Sequence, residues 1–192
     1  MQRLSLLLIT VMLGSLLVLP SVAQAGGPMY TTYNMWYEAP NRIWAVNYKR
    51  GNILPAGTLV KAIDIFKEEY NPHQYITFKR VSDNQTFKVF FRRKFHPGKT
   101  VKDYRQMMFS NQPFNQQTEA MSEREISAIS RGVLVTGMSK KAVQMSYGVP
   151  PQHKTPNFSA NIWRYWTSRM VHKDVCFGMD GRTIKCNTPD ML

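Results

Sequence analysis

The first half of the chain alternates apolar and polar side chains with a period of two, the pattern typical of β-strands. Two such runs flank a turn at residues 82–84 in the stretch QYITFKRVSDNQTFKVFFRRKF, and the second run places Phe87, Val89 and Phe91 on one face. Upstream, residues 43–48 and 58–65 also favour strands. Five or so short strands with tight turns predict a small antiparallel β-barrel or a curved sheet. Any other antiparallel sheet is an alternative.

The strand pattern stops in the middle of the chain. The stretch TVKDYRQMMF predicts a short helix capped by Thr100, with Asp103 near the positive end of the helix. The polar stretch SNQPFNQQTEA follows and contains Pro113, so it indicates a linker between two halves.

Two short helices with well-marked ends are predicted in the second half. Ser122 and Glu125 form a capping box, and Gly132 closes the first helix. Ser139 is the expected N-cap of the second helix, and Gly148, followed by two prolines, ends it. Each helix is too short to bury its apolar face alone, so both should pack on a neighbouring sheet.

That sheet is predicted from the stretches NIWRYWTSRMV, KDVCFG and RTIKC, which favour a three-stranded antiparallel meander. The predicted fold class is therefore α+β. A small antiparallel β-barrel or curved sheet comes first, and an ααβββ two-layer domain follows. The expected domains are a β-rich domain at residues 26–115, ending in a short helix, and an ααβββ domain at residues 116–192.

Residues 1–25 have the pattern of a cleaved signal peptide. Arg3 precedes an apolar run at residues 4–19, and Ala23-Gln24-Ala25 offers a cleavage site. An N-terminal membrane anchor is the alternative. No cysteine lies near the cleavage site, so we expect an exported protein that is not lipidated and has no transmembrane segment after cleavage.

The charge balance points to anionic partners. The chain has 25 Lys and Arg against 12 Asp and Glu, a formal net charge of +13. For an exported protein we expect phosphate-bearing lipid headgroups, acidic glycans or acidic protein faces rather than nucleic acid, unless the charge serves only solubility. The candidate anion-binding residues are Arg92, Arg93, Lys94, Lys140 and Lys141. In a continuing strand, adjacent residues among Arg92, Arg93 and Lys94 would point to opposite faces, so they form one patch only if the strand ends there. The alternative is a solvated strand end that binds nothing.

Cys176 and Cys186 are the expected disulfide partners, because exported proteins fold in oxidising compartments. The stretch CFGMDGRTIKC indicates a hairpin turning at Asp180-Gly181. A two-residue turn would put the cysteines on opposite faces of that hairpin. A disulfide therefore requires a loop with an odd number of residues, or a bulge.

The ordered motifs GMSKKAVQMSYGVPP, NIWRYW and CFGMDG give residues 122–186 a resemblance to the SmpA/OmlA (BamE-like) domain family. The residues that carry this resemblance and should determine the fold are Gly137, Ser139, Val143, Tyr147, Gly148, Trp163 and Tyr165. The resemblance implies a non-catalytic scaffold or adaptor of the bacterial envelope, although the lipid-bearing cysteine of the best-known relatives is missing. The first half loosely resembles a bacterial Src-homology-three-type barrel at residues 47–58.

The predicted strand around Trp163 has two faces. Trp163 and Tyr165 alternate on one of them and should be core residues under the helices. The other face carries the candidate partner-binding residues, because Trp and Arg concentrate at interaction sites. These are Arg164, Trp166 and Arg169.

No catalytic motif is found. The four histidines lie in different predicted elements with no paired acid at a useful spacing, so no catalytic, cofactor-binding or metal-binding residue is expected. The leading hypothesis is a periplasmic non-catalytic adaptor or scaffold that binds an envelope protein or anionic headgroups and supports outer-membrane integrity or assembly. The alternative is a periplasmic glycan- or ligand-binding module that uses the aromatic residues of the first half, Tyr33, Trp36, Tyr37 and Trp44.

Overall fold

The computed structural model describes residues 27–67 and 74–186, so the predicted signal peptide lies outside the described residues. The strands are β1 (Met29–Thr31), β2 (Met35–Tyr37), β3 (Ile43–Trp44), β4 (Asn52–Leu54), β5 (Leu59–Lys67), β6 (Gln74–Arg80), β7 (Thr86–Phe91), β8 (Phe109–Ser110), β9 (Ile162–Trp166), β10 (His172–Phe177) and β11 (Thr183–Ile184). The helices are α1 (Val101–Met108), α2 (Phe114–Gln117), α3 (Glu123–Ser130) and α4 (Lys140–Tyr147), with a 3₁₀ turn at Arg93–Phe95.

The largest sheet has six strands in the order β3-β7-β6-β5-β1-β8 and curls into a half-barrel. The predicted hairpin is present as β6 and β7, and its alternation buries one row of side chains, Phe87, Val89 and Phe91. A bulge in β5 between Lys61 and Asp64 puts Ala62 at a φ of 51°, which adds to the curl because bulges bend a strand. Helix α1 packs Tyr104 and Met108 into the same core.

Strand β3 is shorter than predicted and pairs differently. Only Ile43 and Trp44 of residues 43–48 join the sheet, and they pair parallel to Val89 and Phe90 of β7. The chain then leaves the sheet at Asn47, whose φ of 56° is left-handed. The parallel pairing of β3 with β7 joins segments that are far apart in the sequence. It leaves no local pattern of alternating residues, so it was not predicted.

A three-stranded antiparallel sheet in the order β11-β10-β9 lies near the end of the chain. Its buried face carries Trp163, Tyr165, Val175 and Phe177, which share a core with the apolar side chains of α3 and α4. Strands β2 and β4 form a separate two-stranded ribbon.

The helix starts follow the local sequence. Thr100 with Asp103, and Ser122 with Glu125, form the expected capping boxes of α1 and α3. Glu125 also accepts a hydrogen bond of 2.8 Å from the backbone N–H of Ser139, the N-cap of α4. Burial alone would raise the pKa of Glu125, but the hydrogen bonds from Ser139 and Ser122 outweigh it and lower this pKa to about 2. One buried carboxylate thus joins the starts of two helices.

The ends of the same helices depend on the first half of the chain. The side-chain amide of buried Asn34 donates to the carbonyl oxygens of Ile129 at 2.7 Å and Ser146 at 3.2 Å. Its Oδ1 accepts from the backbone N–H of Ala56 at 2.8 Å. The last carbonyls of a helix have no partner within the helix, so Asn34 satisfies groups of α3 and α4 that would otherwise be buried unpaired.

Asn47 and Lys49 complete this contact. The Asn47 amide donates to the carbonyl oxygens of Asn34 at 3.0 Å and Tyr147 at 2.9 Å, and its Oδ1 accepts from the N–H of Trp36. The Lys49 ammonium also donates to the carbonyl of Tyr147. Burial lowers the pKa of Lys49 well below its usual range, and the negative C-terminal end of the helix opposes this by favouring the charged form. We call Asn34, Asn47 and Lys49 the helix-end cluster.

The predicted fold class is wrong. The described chain is mostly sheet, with eleven strands and four short helices, and where a small antiparallel barrel or curved sheet was predicted it has a six-stranded sheet that curls into a half-barrel and includes one parallel pair. This sheet-dominated architecture does not fit an ααβββ two-layer domain with its helices first, and α3 and α4 are joined at their ends to Asn34 and Asn47 of the first half. The prediction considered only contacts within the second half.

The segment predicted as a linker is partly structured. It contains α2, and Gln117 within it donates from its side chain to the carbonyl of Gln112. Phe114 packs directly on Gly57, where an added Cβ would lie 2.4 Å from the Cβ of Phe114. The proposed division at residues 115 and 116 stays a prediction.

Cys176 and Cys186 form a disulfide whose Cα atoms are 5.2 Å apart. Phe177 pairs with Thr183, so the loop at residues 178–182 has an odd length of five. Cys176 therefore faces Ile184 and shares its side of the hairpin with Cys186, two residues further on.

No helix of the described chain combines the length and the apolar character needed to cross a membrane.

A substitution at Gly148 tests how much the helix-end cluster contributes to the stability of the fold. Its φ is 82°, and an added Cβ would lie 2.4 Å from the amide nitrogen of Asn47. Gly148→Ala should therefore displace Asn47 and lower the free energy of unfolding by about 3 kcal/mol in urea titrations. Gly98→Ala is the matched control, because Gly98 has a φ of 76° and open space around it, and it should cost only about 1 kcal/mol. Equal losses would show that Asn47 is not needed.

Candidate functional site

A cleft of about 500 Å³ opens between the six-stranded sheet and the three-stranded sheet. Four segments line it: β3 with the loop that follows, the 3₁₀ turn after β7, the chain after α4, and β9 with its turn. The lining residues are Trp44, Val46, Tyr48, Arg92, Lys94, Phe95, His153, Lys154, Trp166 and Arg169. Both halves of the chain are needed to form this cleft.

The cleft is strongly cationic. Arg92, Lys94, Lys154 and Arg169 line it, and none of its lining residues is a carboxylate. Within residues 27–67 and 74–186, none of these four cations forms an ion pair. Cations gathered in a concave surface without counter-charges raise the local concentration of anions. The cleft is therefore suited to an anionic ligand.

Arg92 reaches the cleft because strand β7 ends at Phe91. The next residues turn into the 3₁₀ helix, and Arg92 and Lys94 line the cleft whereas Arg93 between them does not. The Arg92 guanidinium lies 4.9 Å from the ring centre of Trp44, which the pairing of β3 with β7 holds in place. Among the described residues, the Arg92 side chain has no hydrogen-bond acceptor, and its Nε is buried. The guanidinium of Arg92 is thus not committed to another group of the described chain.

The opposite wall is built on Trp166. The imidazole of His153 stacks on its indole with the two planes 8° apart and their centres 6.3 Å apart. The backbone N–H of His153 donates to the carbonyl of Phe95 at 3.2 Å, which joins the chain after α4 to the 3₁₀ turn. His172 packs against the same indole with ring centres 5.6 Å apart. Trp166 is therefore held between two histidines.

A second cavity of about 610 Å³ adjoins the cleft and shares three lining residues with it: Trp44, Tyr48 and Arg169. It adds Arg42 and Arg50. Arg50 forms an exposed ion pair of 3.0 Å with Glu38, which also lines this cavity. The excess of positive charge thus continues beyond the cleft.

The candidate anion-binding residues separate into three places. Arg92 and Lys94 line the cleft, whereas Arg93 is exposed and does not line it. Lys140 donates to the carbonyl of Ser159 at 2.7 Å. Lys141 lines a different, smaller cavity of about 250 Å³.

The candidate partner-binding residues also separate. Trp166 and Arg169 line the cleft, but Arg164 forms a double hydrogen bond with Asp174 on β10, with both contacts at 2.7 Å. That bond lowers the pKa of Asp174 below its usual range and occupies the guanidinium of Arg164. Arg164 therefore joins two strands and is not available in the cleft.

The candidate fold-determining residues lie mainly in the second core. Val143, Trp163 and Tyr165 are buried, and the Tyr165 hydroxyl donates to the carbonyl of Gly148 at 3.0 Å. Tyr147 is partly buried and packs edge-on against Tyr165. Gly137 has a φ of 88° in the turn before Ser139.

Of the aromatic residues considered for glycan binding, only Trp44 lines the cleft. Tyr33 is buried and donates from its hydroxyl to that of Tyr104. Sequence reasoning did not single out Tyr48, Phe95 or His153, because each comes from a separate segment and carries no local pattern.

Among the described residues, no group of three or more His, Cys, Asp or Glu side chains is arranged to hold a metal ion.

A buried histidine lies behind the cleft. His96 is fully buried, its ring packs on those of Phe91 and Tyr104, and neither ring nitrogen has a hydrogen-bond partner among the described residues. Burial, and then the charge of nearby His153, lower the pKa of His96 to about 4. The folded protein therefore holds this imidazole neutral.

This pKa has a consequence for stability. In the unfolded chain His96 titrates near pH 6.5, so protonation favours unfolding as the pH falls from 6.5 towards 4. Between pH 6.5 and pH 4, the free energy of unfolding of the wild-type protein should fall by about 3 kcal/mol more than that of His96→Phe, in which residue 96 does not titrate. Urea titrations at each pH measure the difference. His172→Gln, at an exposed histidine, is the control, and its free energy of unfolding should fall as much as that of the wild-type protein. A wild-type loss no greater than that of His96→Phe would contradict this.

Comparisons with known proteins supply no relative whose ligand could be transferred to this cleft. No protein-family model, no curated protein and no solved structure matches the chain. The resemblance of residues 122–186 to the SmpA/OmlA family stays a prediction that rests on its motif residues.

Proposed function

We propose that the protein is a non-catalytic binding protein of the bacterial periplasm that holds an acidic, sugar-containing ligand in the cleft. The single observation that carries this proposal is a set of unpaired cations placed beside aromatic rings. Cations supply the attraction to carboxylate or phosphate, and aromatic faces supply a surface for the C–H groups of a sugar ring. Neither feature alone would favour this class of ligand.

The roles of individual residues follow from their positions. The guanidinium of Arg92 is planar and stacked on Trp44, so it is oriented before a ligand arrives and can grip a carboxylate or phosphate with two donors. Arg169 supplies a second cation, and Trp166 on the opposite wall supplies a ring.

The periplasmic location is supported by two features. The predicted signal peptide would direct export, and the disulfide between Cys176 and Cys186 suits an oxidising compartment. The cleft lining offers cations and rings and no pair of carboxylates of the kind that hydrolyses glycosidic bonds, so we propose binding rather than glycoside hydrolysis.

Neighbouring arginines allow a matched test. Arg92→Ala and Arg93→Ala remove the same charge from adjacent positions, but only Arg92 lines the cleft. With digalacturonate as the probe, Arg92→Ala should weaken binding at least about tenfold in calorimetry, because a charge-assisted hydrogen bond contributes about 1.5–3 kcal/mol. Arg93→Ala should stay within about twofold of wild type.

Nuclear magnetic resonance adds a positional readout. Digalacturonate should shift the indole N–H signals of Trp44 and Trp166 more than that of buried Trp163. No binding by the wild-type protein, or equal weakening by the two arginine variants, would overturn the proposed ligand class.

A second candidate function is the envelope adaptor, which would bind another protein. It is favoured by an exposed apolar row across the three-stranded sheet, where Ile162 and Ile184 flank Cys176 and are 56% and 51% exposed. Such positions on an open sheet can dock a partner. Replacing both isoleucines with serine should abolish periplasmic crosslinks to a specific envelope protein, whereas Met179→Ser, in an exposed turn, should preserve them. Unchanged crosslinks in the double variant would exclude this surface.

A further inference from the structure

The cleft and the adjoining cavity form one groove. They meet at Trp44, Tyr48 and Arg169, which line both cavities. Lys94 and Lys154 line only the cleft, and Arg42, Arg50 and Met170 line only the adjoining cavity, so we call these two parts the Lys94 end and the Arg42 end of the groove. Each cavity alone has the size of a small-molecule site, roughly 300–1,000 Å³. The groove therefore has more room than one or two sugar units require.

Positive charge continues along the groove. Six Lys or Arg residues line its two cavities, against the single carboxylate of Glu38. That carboxylate is paired with Arg50. A ligand with one acidic group would use only part of this row, whereas a chain with an acid on each unit would use all of it.

Aromatic rings accompany the charges. Trp44 and Tyr48 lie where the two cavities meet, and Trp166 lies in the first cavity. A phosphate chain without rings would leave these surfaces unused. The combination of repeated cations and repeated rings matches a polymer in which each unit carries both a ring and an acid.

We propose that this groove binds a linear acidic polysaccharide, with several consecutive sugar units lying along it from the Lys94 end to the Arg42 end. This inference rests on the proposed function and names its ligand as a polymer. Single-stranded nucleic acid also combines rings with charge. The disulfide and the predicted signal peptide favour an extracytoplasmic polymer instead. A membrane surface fits less well, because the rings line a concave groove.

The test is a length series of galacturonate oligomers measured by calorimetry on the full protein. Hexagalacturonate should bind roughly 100-fold more tightly than digalacturonate, because its additional units engage the second cavity without a new association event. Added salt should weaken hexagalacturonate more than digalacturonate, since more charges are paired. Neutral maltohexaose, and inorganic polyphosphate with the same charge, should each bind at least about tenfold more weakly than hexagalacturonate.

One variant changes only the second cavity, which the longer oligomer should reach. Arg42 lines only the second cavity, so Arg42→Ala should weaken hexagalacturonate about tenfold and leave digalacturonate within about twofold. Arg124→Ala, at an exposed position on α3 away from the groove, removes the same charge and should affect neither oligomer. Unchanged urea midpoints in both variants would show that folding is intact.

The outcomes separate the two proposals. Equal affinity for digalacturonate and hexagalacturonate would overturn the polymer and leave the proposed function standing. Binding of neither oligomer would overturn both. Polyphosphate or hexathymidylate that binds as tightly as hexagalacturonate, binding only to vesicles containing phosphatidylglycerol, or equal effects of Arg42→Ala and Arg124→Ala would each overturn the polysaccharide.

Discussion

The structure depends on one set of hydrogen bonds, those between buried asparagine side chains of the first half and the ends of two helices in the second half. Asn34 bonds α3 and α4 together, and Asn47 bonds Asn34 and α4. Unpaired carbonyls in a core are costly, so the second half cannot separate from the first without exposing them to water or leaving them unsatisfied. The two halves are therefore coupled by these polar groups and also by apolar contacts, because Val149 of the second half packs in the first core and Ala56 of the first half packs in the second.

This coupling explains why the cleft lies where it does. Helix α4 ends at Tyr147, and the buried chain after Gly148 leads to His153 in the cleft wall. The position of His153 thus follows from the bonds that Asn47 makes at the end of α4. Trp44 on β3 and Arg92, directly after β7, approach from the other side. The groove is a product of how the halves are joined, and neither half contains it.

Local features of the fold were predictable from the sequence, because their causes lie within a few residues. The capping boxes at Thr100 and Ser122 require only a partner three positions away, and the β6–β7 hairpin shows alternation on both sides of its turn. The fold class was not predictable in this way. Asn34 and Asn47 resemble ordinary loop asparagines in the sequence, and nothing near them identifies acceptors about a hundred residues away.

The residues of the candidate site also divide into those that the local sequence identified and those that only long-range contacts bring to the cleft. The basic run after β7 identified Arg92 and Lys94, and Trp166 and Arg169 were noticed for their residue types. Arg164 was chosen for its residue type in the same way, but it is hydrogen-bonded to Asp174. That contact follows from the register between β9 and β10, which the sequence does not show. Tyr48, Phe95 and His153 enter the cleft through long-range packing and could not be recognised from their neighbours.

The parallel pairing of β3 with β7 has a consequence for the order of folding. The β6–β7 hairpin closes a short loop, whereas β3 must wait for β7 before it can pair, so it is expected to join the sheet late. Trp44 then reaches Arg92 only in the last steps, and a partly folded chain has no complete groove. Ligand binding would then distinguish finished molecules from those that are still folding.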